Sequence, residues 1–162
     1  MSDVHEFSGS NDKSKEHNKK IDKTFSQWYE IYSMPLTIDK IGIDRIWKDK
    51  ERKVFYSVEY KADERAADTG NAFIETISVD TSDKPGWAYT CAAQLICYYV
   101  PRWHRAWMVS TMSIKNNIKE WEQKYRTVSA QNNGYKTYGI AVPWDVFVNH
   151  SYENHEVIDD QD

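Results

Sequence analysis

The sequence predicts a layered α/β or α+β domain of helices packed on strands, in the order α-β-β-β-α-β-α-β. Three observations carry this. Apolar residues recur at helical spacing from Ile21 to Tyr32 and again from Ile114 to Tyr125. Between them lie short runs rich in β-branched and aromatic residues, above all Val54 to Lys61 and Asn71 to Val79. Hydrophobic residues make up 40% of the 162, enough to bury the core of one domain flanked by tails.

Each element follows from local pattern. Residues 1–20 are polar and lack periodicity, and predict a disordered tail. His5 and His17 fall within it, too isolated to be ligands. In the body, 21–150, Ile21, Phe25, Trp28, Tyr29 and Tyr32 predict a helix that Pro35 ends. Ile38 to Trp47 reads as a strand, and Lys48-Asp49-Lys50-Glu51-Arg52 as a charged hairpin turn. Val54 to Lys61 is the second strand and Asn71 to Val79 the third, joined by a polar loop with a Thr-Gly turn signal at residues 69–70. Trp87 to Tyr99 is almost wholly apolar, too short to span a bilayer, and predicts a helix buried on the sheet with Gln94 hydrogen-bonded in the core. Trp103 to Ser110 predicts a strand. Ser113 is a candidate N-cap for a helix over 114–125. Lys136 to Val142 predicts the last strand, and Pro143-Trp144 a short turn to Phe147. Residues 151–162 predict an acidic tail.

Composition narrows the function classes. The formal charge is -4, yet residues 151–162 hold five acids and no Lys or Arg, leaving 21 basic against 20 acidic residues in the rest. A DNA-binding face therefore stays open. The two cysteines, Cys91 and Cys97, form no CxxC or Cys/His cluster and read as buried thiols in a reducing cytoplasm. No window is apolar enough for a membrane span or export signal.

The chemistry concentrates between Gly42 and Glu75. Asp44 sits between Ile43 and Arg45, and burying a carboxylate there is costly unless a cation or donors meet it. Period two puts Glu59 and Lys61 on one face at the end of the second strand, with Asp44 in reach across the hairpin. Phosphodiester cleavage needs a deprotonated water, stabilisation of charge on phosphorus and a neutralised leaving oxygen. Mg²⁺ serves these roles with one or two carboxylates, and Mn²⁺ can substitute. Asp44 and Glu59 fit that ligand supply, the Tyr60 backbone carbonyl adds a third oxygen, and Lys61 is a compact charge for the water or phosphate. Glu30 and Glu75 are accessory candidates. Arg45, Lys48, Lys50, Arg52, Lys53 and Arg65 are candidates for phosphate contact. A salt-bridged trio at a sheet end is the alternative reading of Asp44, Glu59 and Lys61.

Asp44…Glu59-x-Lys61, set in this element order, resembles the PD-(D/E)XK nuclease superfamily, the restriction-endonuclease-like fold with an αβββαβ core. The segments IDRIW, SVEYKADERAADTGNAFIE and GWAYTCAAQLICYYV look like its small, phage- or mobile-element-associated branch. The resemblance covers roughly residues 25–147. By position Asp44 matches the motif's aspartate, Glu59 its (D/E) and Lys61 its lysine. Ile43 stands where many members have proline, and Glu30 is the candidate for the helix acid some members use. The resemblance implies a Mg²⁺-dependent DNA endonuclease. The alternative is a nuclease-fold DNA-binding or adaptor subunit without cleavage. No DNA-reading module is evident, and a homodimer is compatible with the aromatic surplus of seven Trp and eleven Tyr.

Overall fold

The computed structural model describes residues 3–159, with side chains from residue 12. The chain is α/β, with a mixed six-stranded sheet, a second antiparallel sheet of four strands, and helices. Helix α1 (Asp3–Phe25) leads into β1 (Tyr29–Ser33), the turn α2 (Leu36–Asp39), β2 (Arg45–Asp49) and β3 (Phe55–Ala62). After α3 (Ala66–Thr69) come β4 (Asn71–Val79), β5 (Lys84–Pro85) and α4 (Trp87–Thr90). Next are β6 (Leu95–Val100), β7 (Arg105–Ser110), α5 (Thr111–Lys124), β8 (Thr127–Gln131) and β9 (Lys136–Pro143). The short α6 (Trp144–Val148) and β10 (Ser151–Glu156) follow.

The first sheet runs β1-β2-β3-β6-β7-β10 and the second β5-β4-β9-β8. Among the described residues only β3 and β6 pair in parallel, Glu59 opposite Ile96 and Lys61 opposite Tyr98. One face of the large sheet, with Val58, Tyr60, Cys97, Tyr99 and Met108, packs on Ile21 and Phe25 of α1. Its other face, with Ile96, Tyr98, Val100 and Val109, packs on Ala72, Ile74, Ile140 and Val142 of the second sheet. Ile114, Ile118 and Trp121 of α5 close that core. Period two therefore turns Glu59 and Lys61 toward the layer shared by the two sheets.

Several elements differ from the sequence expectation, each for a physical reason. The first helix ends at Phe25, and Tyr29–Ser33 is an edge strand paired with β2. Spacing of Trp28, Tyr29 and Tyr32 fits a helix, but the register against Trp47 wins. The polar stretch before Ile21 is helical from Asp3, and His17 is buried with Nε2 2.7 Å from Glu64. It is anchored by tertiary contacts that local composition does not reveal. Ile38 to Trp47 divides into α2, a loop and a strand beginning at Arg45. Trp87 to Tyr99 is no helix; a single turn leads to β6, which is buried on both faces as a central strand is. Gln94 is exposed, yet its Oε1 accepts the Ser57 amide at 3.0 Å.

Asn71 to Val79 is a strand as expected, but in the second sheet, antiparallel to β9. Strand β8 was unforeseen, and α5 starts at Thr111 with Ser110 as its N-cap residue. The expected acidic tail contains β10, paired antiparallel with β7, and Val157 is buried. Cys91 and Cys97 are free and buried. Among the described residues, no helix is long and apolar enough to cross a membrane.

Candidate functional site

The hairpin β2–β3 carries the site. Gly42 adopts φ +81°, and an added Cβ there would lie 3.0 Å from the Cys91 Cα. Its carbonyl accepts the Ala93 amide at 3.2 Å, so residues 41–42 lie flat against 91–93. From this turn the chain enters β2 with Asp44 beside β3. The Asp44 amide donates to the Val58 carbonyl at 3.0 Å, and the Tyr60 amide donates to Asp44 Oδ2 at 2.6 Å. In a strand, the N–H and C=O of one residue leave on the same side. The Tyr60 carbonyl therefore emerges beside Asp44, beyond the last β2–β3 pair, Arg45 opposite Val58.

On the inner face, Lys61 Nζ lies 2.7 Å from Glu59 Oε1. Glu59 is buried, and its Oε2 has no hydrogen-bond partner among the described residues. A carboxylate oxygen buried without a partner is costly, which is the condition a cation or a donor on a ligand would relieve. Lys61 remains 28% exposed, with Nζ 5.9 Å from the centroid of the Trp87 ring. Burial works against its charge, but Glu59, then Asp44 and Glu75, outweigh it, and its pKa lies above the ordinary lysine value.

Asp44 is pushed up to about 8. Burial is the main cause, followed by a hydrogen bond with the Asp39 carboxyl and the nearby charge of Glu59; the Tyr60 amide and Lys61 pull the other way. Asp39, the last residue of α2, is a site neighbour that sequence reasoning missed. The turn α2 and the residues after it fold back before Asp44 and bring it there. Glu75 lies on the face of β4 opposite Ala72 and Ile74, where it and Lys61 line one cleft. Burial raises its pKa while Lys61 lowers it, and the Trp87 amide donates to its Oε1 at 3.4 Å.

The structure thus brings Asp44, Glu59, Lys61 and Glu75 together, with the Tyr60 carbonyl, and adds Asp39. It places Glu30 elsewhere: in β1, bound to Lys48 Nζ at 3.2 Å and Tyr32 Oη at 2.9 Å. Arg45 turns to the opposite face, where its guanidinium forks onto Asp22 of α1 at 3.0–3.2 Å. It serves the docking of α1 instead of facing solvent as a phosphate contact. Lys48, Lys50, Arg52 and Lys53 crowd the β2–β3 turn. Lys50 donates to the Ser26 carbonyl, and from Phe55 to Lys61 the strand extends roughly 20 Å, so this turn lies at the far end of the hairpin.

Arg65 lies nearer, in the lining of a cleft of about 790 Å³ that also includes Lys61, Glu75 and Trp87. Asp63 lines it too, but its carboxylate is committed. It accepts the amides of Arg65, Ala66 and Phe73 at 2.9–3.1 Å and the Tyr98 hydroxyl, fastening the two sheets beside the site. The sequence pattern places Asp63 in a polar loop, and nothing local distinguishes it there.

The donor set suits a hard divalent cation in one respect, the unpartnered Glu59 Oε2 beside a second carboxylate and a free strand carbonyl. It is sparse in another. Among the described residues, no three His, Cys, Asp or Glu side chains group closely enough to hold a metal by themselves. Comparison with protein-family models, curated proteins and solved structures finds no match for this chain.

Proposed function

We propose that this chain is a Mg²⁺-dependent DNA endonuclease of the PD-(D/E)XK, restriction-endonuclease-like kind. One observation carries the reading: a buried, unpartnered oxygen of Glu59 shares a strand end with Asp44 and with a lysine bound to the other oxygen of the same carboxylate. A salt bridge built only for stability would satisfy both oxygens. The leading helix, the β2–β3 hairpin and the parallel β3–β6 pair support this reading, while the third strand of the expected core lies in the second sheet and the expected second helix is the single turn α4.

Asp44, Glu59 Oε2 and the Tyr60 carbonyl would hold the cation. Mg²⁺, when bound, lowers the pKa of its water and neutralises charge developing on the phosphate. The protein supplies position. Tyr60 fixes Asp44 through its amide, and Glu59 Oε1 aims the Lys61 ammonium. Lys61 has further N–H donors for a phosphate oxygen or the attacking water. Trp87 walls one side of the lysine stem. Free buried thiols at Cys91 and Cys97 suit a reducing compartment such as the cytoplasm.

The test is a cleavage assay on supercoiled, linear, single-stranded and branched DNA, with Mg²⁺, Mn²⁺ or EDTA, beside Lys61→Ala. Metal-dependent cutting that the variant loses supports the enzyme. The sparse side-chain donor set favours one competing reading, a DNA-binding adaptor without cleavage. DNA binding that ignores metal, with no cutting of any substrate, identifies it.

A further inference from the structure

We infer that the cleft beside Lys61 seats an unpaired DNA strand, so that the proposed nuclease acts at DNA bearing a single-stranded segment; this rests on the nuclease reading above. The floor of the cleft is one face of the second sheet. Asn71, Phe73 and Glu75 alternate along β4, and Arg126, Val128 and Ala130 line the cleft two strands away. Between them β9 contributes only small residues. Phe73 pairs with Ala141, Glu75 with Gly139, and the Ala141 amide donates to the Arg126 carbonyl at 3.1 Å. The result is a trough along β9.

Phe73 lies across that trough. A Cβ on Gly139 would sit 2.7 Å from two atoms of the Phe73 ring, so the ring rests on the glycine. With one face covered by Gly139, Phe73 offers the other to the cleft, as base-stacking platforms do. Arg65 and Arg126 are both exposed and line the same space. Neither has an ion pair or side-chain hydrogen bond among the described residues. The acids beside them are already engaged, Asp63 by the backbone amides and Tyr98, Glu64 by His17 and Lys13.

Aromatic face, unengaged cations and a narrow trough are the ingredients of single-strand binding. A volume of about 790 Å³ lies within the range of pockets that enclose small ligands. Lys61 belongs to both cleft and site, so a strand stacked on Phe73 runs to the lysine.

The experiment measures binding of a fluorescein-labelled oligothymidylate in EDTA, with an unlabelled duplex as competitor. Wild type is compared with Arg126→Ala, Arg65→Ala and Phe73→Leu. The two arginine variants alter exposed side chains, and melting curves check that Phe73→Leu folds. The expected result is at least about tenfold weaker binding for Phe73→Leu. Each arginine variant is expected to reduce the salt slope by about 0.7. With Mg²⁺, tailed duplex is expected to be cut faster than blunt duplex. Unchanged affinity in all three variants overturns the inference. So does equally fast cutting of blunt and tailed DNA, which leaves the nuclease standing. Variant-dependent oligothymidylate binding without cutting under any metal supports the cleft assignment while removing the nuclease reading.

Discussion

The Tyr60 amide meets Asp44 Oδ2 at 2.6 Å, while the hydroxyl of the same tyrosine donates to Asp22 Oδ1 of α1 at 2.8 Å on the opposite face of the sheet. One residue thus joins the candidate site to the helix that covers the other face. Trp47 Nε1 donates to the same hydroxyl at 2.9 Å, so the polar group is fully engaged in an otherwise apolar layer. Tyr60→Phe leaves the Asp22 oxygen and the Trp47 N–H each short of a partner. The expected loss is about 1–3 kcal/mol in urea unfolding, with the site's backbone contacts retained. Cleavage by the folded variant should change little; a large fall would place the hydroxyl in the chemistry.

Lys61→Ala should lower cleavage at least about 100-fold, the scale of losing a positioned electrostatic group. Circular dichroism should show the fold kept. Removing the ammonium leaves both Glu59 oxygens unpaired, so some loss of metal-free stability is expected and Mg²⁺ should restore part of it. Substantial cleavage by the purified variant would sink the assigned role.

The carboxyl of Asp44 makes the metal-free protein pH-sensitive. Its ordinary value is 3.8 and the fold raises it to about 8. Between these the folded state binds more protons than the unfolded chain, so stability falls as pH rises through the window and levels off above it. Asp44→Asn keeps an acceptor for the Tyr60 amide and removes the titration. It should flatten that slope and raise metal-free stability at pH 8 by on the order of 1–3 kcal/mol. Urea midpoints across pH give the answer; an unchanged slope assigns the effect to another group. Mg²⁺ must displace the same proton, so its affinity should climb with pH over this window.

Gly139→Ala places a methyl group against the Phe73 ring at a distance real contacts do not reach. The ring must swing into the cleft or β9 must shift. About 1–3 kcal/mol of destabilisation is expected from the overpacking, read by thermal melting. Phe73→Leu in the same background should recover part of it, since the leucine leaves the space the ring occupied.

Removing residues 151–162 deletes an edge strand together with Val157, which is buried, and His155, whose ring packs 4.5 Å from that of Trp28. The truncated chain should be less stable, exposing β7 as a new edge prone to association. Charge is better probed by Glu153→Gln with Glu156→Gln. If these acids repel DNA from the candidate site, the double variant binds DNA more tightly in anisotropy titrations; unchanged affinity excludes that role.

Much of this was legible in the chain. VFYSVEYK and NAFIETISV alternate cleanly, and both are strands to within a residue. Ile114, Ile118 and Trp121 mark the buried stripe of α5. The convergence of Asp44 with Glu59 and Lys61 followed from period two and the hairpin. What failed was set by partners distant in sequence. LICYYV is apolar on both faces, so no periodicity separates a central strand from a buried helix. SYENHE alternates half-buried with exposed positions, but its charges hid that pattern. Asp39 and Asp63 look like surface acids until the fold brings them to Asp44 and to Tyr98.

The parallel pairing of β3 with β6 bears on how the molecule is assembled in time. The crossover between them contains β4, which pairs locally with the two-residue β5 but finds its long partner in β9, Ile74 opposite Ile140. A nascent chain that has made Asp44, Glu59 and Lys61 still lacks the strand that supports Glu75 and the cleft floor. Loop closure over such separations is slow. Refolding should therefore show the β2–β3 hairpin protected from amide exchange early and β4 late. Asp44 and Glu59 would then meet before the trough exists, and the cleft proposed to seat a DNA strand would be the last feature the chain acquires.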